Sequence, residues 1–244
     1  YLALTGYKPT IFEKNEEPGG MLRYGIPSYK LEKDLLKAEI DIIKEMGVEI
    51  RCGVEVGRDI TIDQLREQGY KGFYVAIGAQ KGRKPGIENE DADGVYTAVD
   101  FLKKAGAEEG VAFEGDVVVV GGGNVAIDAA RVSSRCTEHG ISMYCLEQKE
   151  QMPANKDEIA EALAENVSLN CGWGPKEILV EDGHVTGIVF KKCLRVQDEN
   201  GRFAPEYDEN DTVSVPCRHI IFSVGQAIDW GHISDGMHLE LRPN

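Results

Sequence analysis

Residues 117–126, Val-Val-Val-Val-Gly-Gly-Gly-Asn-Val-Ala, constrain the fold of this chain more than any other segment. Four consecutive valines suit a strand buried on both faces, the situation of a strand inside a parallel sheet. Gly121, Gly122, Gly123, Asn124, Val125 and Ala126 follow at once as G-x-G-x-x-A, and the apolar spacing beyond them predicts a helix to about Arg135. After a turn at His139-Gly140, a second strand over residues 141–146 leads to Glu147, 21 residues after Ala126. The order strand, glycine loop, helix, strand and terminal acid is that of a βαβ unit.

This order has a chemical reading. A diphosphate needs free backbone N–H groups and the positive end of a helix dipole, and the lack of Cβ at Gly121 and Gly123 allows a tight turn and close approach of phosphates. Ala126 keeps helix and strand together. An acid at the end of the second strand, here Glu147, faces the adenosine ribose hydroxyls in dinucleotide folds. A glycine motif alone marks a tight turn in many α/β proteins, and a lone strand-end acid is often a solvated charge. All the parts in register point to a nicotinamide-dinucleotide site. Glu147 would repel a 2′-phosphate and so favour NADH over NADPH, while Lys149 and Lys156 argue the other way.

The rest of the composition narrows the class. Lys plus Arg number 27 against 42 Asp plus Glu, a formal charge of -15 that repels nucleic acid and anionic membranes. No apolar run approaches the roughly 20 residues that span a bilayer, and no signal peptide opens the chain, so the expectation is a soluble, cytoplasmic protein with no membrane or nucleic-acid partner. Cys52, Cys136, Cys145, Cys171, Cys193 and Cys217 form no CxxC pair and no zinc or iron–sulfur spacing, and are expected as reduced, mostly buried thiols. His139, His184, His219, His232 and His238 sit in no triad or metal spacing and are read as surface or turn residues. No catalytic residue or metal ligand is assigned. Asp128 and Arg131, three apart, are read either as a brace for the glycine loop or as a plain ion pair.

Upstream, Tyr1–Leu4 reads as the last turn of a helix stopped at Gly6, and residues 8–12 as a strand closing on Glu13. The chain starts without Met and is expected to be part of something longer. Gly19-Gly20 and Gly25-Ile26-Pro27 mark an irregular loop. Leu31, Leu35, Leu36, Ile40, Ile43 and Met46 predict a helix up to Gly47, and Thr61 a capped helix to Gln68. Residues 48–50, 54–56 and 73–77 are strand candidates, the last ending at Gly78. Residues 81–94 read as a crossing between domains, 99–104 and 157–165 as helices, and 167–224 as β segments with a hairpin turn at Asp182-Gly183. Glu13 repeats the placing of Glu147, but the strand and glycine loop that would precede it are not in the sequence. The Gly19-Gly20-Met21-Leu22 loop and the stretch ending at Gly78 offer backbone to a flat ligand.

These segments together resemble the glutamate synthase small (β) subunit family of FAD/NAD(P)H oxidoreductases, including the corresponding region of dihydropyrimidine dehydrogenase. The resemblance rests on Ile11-Phe12-Glu13-Lys14, Gly19-Gly20 through Pro27, residues 74–79, residues 121–131, Met152-Pro153-Ala154 and Val224-Gly225-Gln226, and is weakest over 160–215. It implies an α/β fold of two Rossmann-like dinucleotide-binding domains, thioredoxin-reductase-like, with an NAD(P)H domain (99–221) inserted in a truncated FAD domain (1–98 and 222–244). It implies that Glu13 binds the FAD ribose, with Gly20, Met21, Lys30, Val56 and Gly78 near the flavin nucleotide. It also implies that Gly122–Val125 and Glu147 hold NADH or NADPH and that Gly225 marks the return to the flavin domain.

Relatives that use NADPH tend to carry two arginines where this chain has Leu146-Glu147. The family's opening FAD glycine loop and closing Gly-Asp segment lie outside residues 1–244, so FAD would be held poorly or lost. The family's cysteine-rich iron–sulfur segment is missing too. The activity so implied is hydride transfer from NAD(P)H, leaning to NADH, to FAD, with electrons passed to a partner subunit or domain, an iron–sulfur protein among the candidates; a homo-oligomer is also allowed. The competing reading is a non-catalytic NAD(H)-binding sensor or scaffold. A dehydrogenase acting directly on a small alcohol ranks below both, because no proton-relay residue is evident.

Overall fold

The four valines sort their side chains alternately to two different cores, and the larger part of the fold is built around that split. In the computed structural model, which describes residues 1–107 and 110–235, the chain forms two units: Tyr1–Gln80 with the segment from Ile228, and Lys81–Ala227.

The first unit begins with a 3-10 turn, Ala3–Thr5, stopped by Gly6 at φ 89°. Strand β1 (Thr10–Glu13) pairs in parallel with β2 (Glu49–Cys52), with Glu13 opposite Cys52. Between them lie α1 (Gly20–Tyr24) and α2 (Lys33–Glu45). The periodicity predicted α2; α1 replaces part of the expected loop. Its entry turns through Gly19 at φ 128° and Gly20 at φ 52°, and a Cβ on Gly19 would meet Leu36 of α2 at 3.1 Å. Helix α3 (Ile62–Glu67) starts with the expected Thr61 cap, completed by Gln64 as a reciprocal capping box. The strand expected over 73–77 does not form: Tyr74 is 93% exposed and, among the described residues, no backbone group pairs with this run. Apolar residues make a strand only where another backbone completes the ladder. Over 54–56 the β structure reduces to a single bridge from Val56 to Ile60.

In the second unit β3 (Lys81–Gly82) precedes β4 (Val95–Thr97), α4 (Ala98–Ala105), β5 (Val117–Val120), α5 (Asn124–Ser133), β6 (Ile141–Cys145), α6 (Lys156–Ala164) and β7 (Ser168–Cys171). Strands β8 (Trp173–Glu181), β9 (His184–Gln197) and β10 (Phe203–Pro216) form an antiparallel sheet, followed by β11 (His219–Phe222) and β12 (Gln226–Ala227). The main sheet is parallel throughout, in the order β4-β11-β5-β6-β7. Val117 and Val119 pack with Phe101 of α4, Ile127 and Ala130 of α5 and Ile159 of α6. Val118 and Val120 point to the opposite face, where Ile178, Ile188 and Phe190 of the antiparallel sheet cover them, and Tyr144 stacks on Phe190 at 4.1 Å. The period of two along a strand produces this division directly. The Asp182-Gly183 turn joins β8 to β9 with φ of 52° and 83°, as a two-residue hairpin needs.

The second unit runs from Lys81 to Ala227. Strands β4 and β11 are hydrogen-bonded members of its central sheet, and β3 pairs with β12. Residues 81–94, read from sequence as a crossing, are tied into this unit: Asn89 Nδ2 donates to Ile178 O at 3.1 Å and Lys84 Nζ to Glu90 O at 2.7 Å.

Arg131 braces α5 against α6, pairing with Glu161 and with Glu165 at 2.7 Å; Arg135 adds a second contact to Glu165 at 2.8 Å. These guanidinium groups hold the Glu165 carboxyl down to about 2. His219 departs from the surface reading. It lies in β11 against Phe113 at 4.3 Å, and its Nδ1 is buried without a hydrogen-bond partner among the described residues. Burial lowers its pKa. His184 and His232 pair with Asp93 and Asp235, and His238 lies outside the described residues.

Both shifts carry a sign for stability. His219 folds preferentially neutral, so its contribution is complete above the unfolded value of 6.5 and is lost as pH falls below it; that of Glu165 is lost below 4.5, toward 2. Urea midpoints measured from pH 8 to pH 3 should fall in two stages. His219→Phe should remove the first and Glu165→Gln should shrink the second, to which Asp41, Glu49, Asp59 and Glu209 also contribute; an unaltered profile in either variant would refute the corresponding assignment.

Candidate functional site

The glycine loop leaves the C-terminal end of β5, where Gly121 N donates to Tyr144 O at 2.8 Å. Each glycine answers a different demand. Gly121 has φ 146°, and a Cβ there would stand 2.4 Å from Ser223 O at the end of β11. A Cβ on Gly122 would stand 2.8 Å from Glu147 Oε2 and 3.2 Å from Cys145 Cβ. Gly123, the N-cap of α5, has nothing within 4 Å of that position and presents open space. Among the described residues no hydrogen bond engages the N–H groups of Gly122, Gly123, Asn124 and Val125, which is the donor set a helix N-terminus offers to an anion. Ala126 is fully buried under the loop.

Glu147 follows β6 and its carboxylate lies over Gly122, so the acid and the loop expected from the sequence do come together. Its carbonyl accepts Gly172 N at 3.0 Å, which pins the strand end to the residue after β7. The Met152-Pro153-Ala154 segment joins the same site: Ala154 N donates to Gly122 O at 3.1 Å and Asn155 N to Asn124 Oδ1 at 2.8 Å. The Asn124 side chain thus holds the start of α6. Gly225, at φ 113°, accepts from Arg83 N at 3.0 Å.

A cavity of about 890 Å³ runs over these groups, lined by residues 121–125, Glu147 and Gly225. Pockets of roughly 300–1,000 Å³ are the usual setting for cofactors. Trp173, Tyr207, Lys191 and Arg83 line it as well, and the sequence reading did not single them out. They come from the antiparallel sheet and from the segment after β3, which carry no glycine motif; only the ladders bring them to the strand ends. Beneath the loop, Cys145 and Cys171 stand 3.8 Å apart as free thiols, and burial pushes both upward in pKa.

The remaining sequence candidates all lie in the first unit. Glu13 ends β1, and its Oε1 accepts both Asn15 N and Asn15 Nδ2 at 2.8 Å. Gly20 and Met21 are in α1, with Met21 folded over Gly25; Lys30 N donates to Pro27 O at 3.0 Å; Val56 bridges to Ile60; Gly78 takes φ 68°. Asn15 thereby orients the acid at the end of β1. Among the described residues no group of three His, Cys, Asp or Glu gathers to hold a metal ion, and no helix is long and apolar enough to cross a membrane.

A family model described as pyridine nucleotide-disulphide oxidoreductase matches residues 2–241. The chain is 34% identical over 236 residues to the glutamate synthase [NADPH] small chain of Halomonas elongata, covering 92% of this chain and 49% of that protein. It is 36% identical over 183 residues to the NAD-dependent dihydropyrimidine dehydrogenase subunit PreT of Escherichia coli O157:H7, covering 74% and 43%. Among solved structures, FprA of Mycobacterium tuberculosis in complex with NADPH aligns with a TM-score of 0.74 at 19% identity, over 90% of this chain and 64% of that one. The fold is therefore the two-domain α/β fold shared by FprA and thioredoxin reductases. The chain spans a third to a half of the length of the curated relatives it matches first.

The unequal surroundings of the glycines are testable by urea denaturation. Gly121→Ala places a side chain at φ 146° against Ser223 O and should lower stability by about 1–3 kcal/mol. Gly123→Ala, in open space, should change it by less than about 1 kcal/mol. Equal losses in the two variants would contradict this steric account.

Proposed function

The chain belongs to the pyridine nucleotide-disulphide oxidoreductase family, and on that premise we propose that it is a pyridine-nucleotide:flavin oxidoreductase module resembling the glutamate synthase small subunit. The observation that carries this reading is the set of four unengaged N–H groups at Gly122–Val125 with the Glu147 carboxylate lying across Gly122. These donors hold the diphosphate of NAD(P)H, and Glu147 takes the hydroxyls of the adenosine ribose. The first unit, with Glu13 oriented by Asn15, holds the ribose of FAD. Bound FAD would supply a flavin ring able to take up the hydride of the nicotinamide, and the protein's task would be to place the two and to exclude water.

Electrons then leave for a partner subunit or domain, an iron–sulfur protein being the class suited to one-electron transfer. The support is that relatives are named as a small chain and a subunit. Glu147, bearing a negative charge beside the ribose, favours NADH over the 2′-phosphorylated coenzyme; the relatives' names include both coenzymes. Six free thiols suit a reducing, cytoplasmic setting.

Anaerobic titration of the full-length flavoprotein with NADH should bleach the flavin absorbance, whereas a full-length protein that binds NADH but carries no flavin would establish a sensing or scaffold role instead. Glu147→Arg should move the ratio of NADPH to NADH affinity by about tenfold toward NADPH. A wild type that NADPH reduces faster, with a preference that Glu147→Arg leaves alone, would remove Glu147 from the site.

A further inference from the structure

Arg83, Lys84 and Lys191 line the cavity, and Lys192 lies next to Lys191 on β9. Lys191 is engaged by Glu209 at 2.6 Å and lies over the Tyr207 ring at 4.3 Å; Lys84 is held by Glu90 O at 2.7 Å and Asp91 at 2.6 Å. Lys192 is held differently. Its ammonium lies 4.6 Å from the centre of the Trp173 ring, a contact that orients the charge without neutralising it. Its cross-strand neighbour Asp208 turns a carboxylate oxygen to Asn210 N at 2.9 Å.

Lys192 reaches Gly172, the residue that pins the end of β6 just after Glu147. Gly172, at φ 77°, donates its N–H to Glu147 O at 3.0 Å and accepts Cys193 N at 2.8 Å, so it ties the end of β6 to β9. A Cβ on Gly172 would stand 2.7 Å from Gln148 Nε2 and 3.3 Å from Lys192 Nζ. An amide donor and an ammonium therefore converge over a residue with no side chain, one position along from Glu147. Backbone hydrogen bonds hold the segments that carry these two side chains.

We propose that Lys192, together with Gln148, binds the 2′-phosphate of NADPH, so that the nucleotide site admits both coenzymes despite Glu147. This rests on the nucleotide reading of the site given above. A 2′-phosphate is repelled by the Glu147 carboxylate, and the donors beside that acid are the Gln148 amide and, across the ladder, the Lys192 ammonium. The coenzyme preference is then a balance between one repelling and one attracting charge, where Glu147 alone would impose strong exclusion. Lys192 is a specificity residue with no part in the hydride step.

The experiment isolates the 2′-phosphate by comparing adenosine 2′,5′-bisphosphate with 5′-AMP as calorimetric ligands of the full-length flavoprotein, with NADH binding as reference. In Lys192→Gln, which keeps most of the stem on Trp173, the affinity ratio of bisphosphate to 5′-AMP should fall about tenfold, the loss expected for a charge-assisted contact. Lys192→Arg should keep the ratio within about threefold of wild type. If Lys192→Gln leaves the ratio within about twofold, or Lys192→Arg loses as much as Lys192→Gln, while 5′-AMP and NADH still bind, Lys192 has no such role. If neither 5′-AMP nor NADH binds the wild type, the nucleotide reading itself fails.

Discussion

Burial of β5 on both faces is the constraint on which the second unit depends. Val117 and Val119 anchor three helices, Val118 and Val120 anchor an antiparallel sheet, and β11 and β6 close its two edges. A strand so enclosed satisfies every backbone group through its neighbours, and its C-terminal end becomes the place where the chain must turn sharply. Removing apolar surface from water on both faces is worth about 25 cal/mol per Å² buried, and four valines bury nearly all of theirs. The glycine loop is the consequence: a side chain at Gly121 would collide with Ser223, and one at Gly122 with Glu147.

That crowding also explains why the site is pre-formed. The loop is bounded by β11 on one side and by the β6 end on the other, while Ala154 and Asn155 tie the start of α6 to it from above. The N–H groups left without partners are those facing the open side at Gly123. On the proposed reading, function arises from what packing leaves unsatisfied, in a position where an anion would supply the missing acceptors.

The antiparallel sheet extends the site beyond what a βαβ unit supplies. By covering Val118, Val120 and Tyr144 it brings Trp173, Lys191 and Tyr207 to the cavity, and through Gly172 it places Lys192 next to Gln148. On the proposed reading, dinucleotide binding and the choice between its two forms fall to different layers of one unit.

The sequence by itself determined the elements whose signals are local. Four valines announce a doubly buried strand, G-x-G-x-x-A announces the loop, and 21 residues on, Glu147 closes the unit; hydrophobic periodicity placed α2, α5 and α6, and Asp182-Gly183 the hairpin. Only the tertiary structure decided that residues 73–77 are not a strand, because a ladder needs a second backbone. It also decided that β3, β4 and β12 belong with the second unit, and that His219 is packed on Phe113 instead of lying at the surface. The Gly121–Glu147 unit was legible because its parts follow one another along 27 residues; Arg83, Trp173 and Lys191 were not, because hydrogen-bonded ladders between distant segments bring them there, and pairing of that kind leaves no mark on the local sequence.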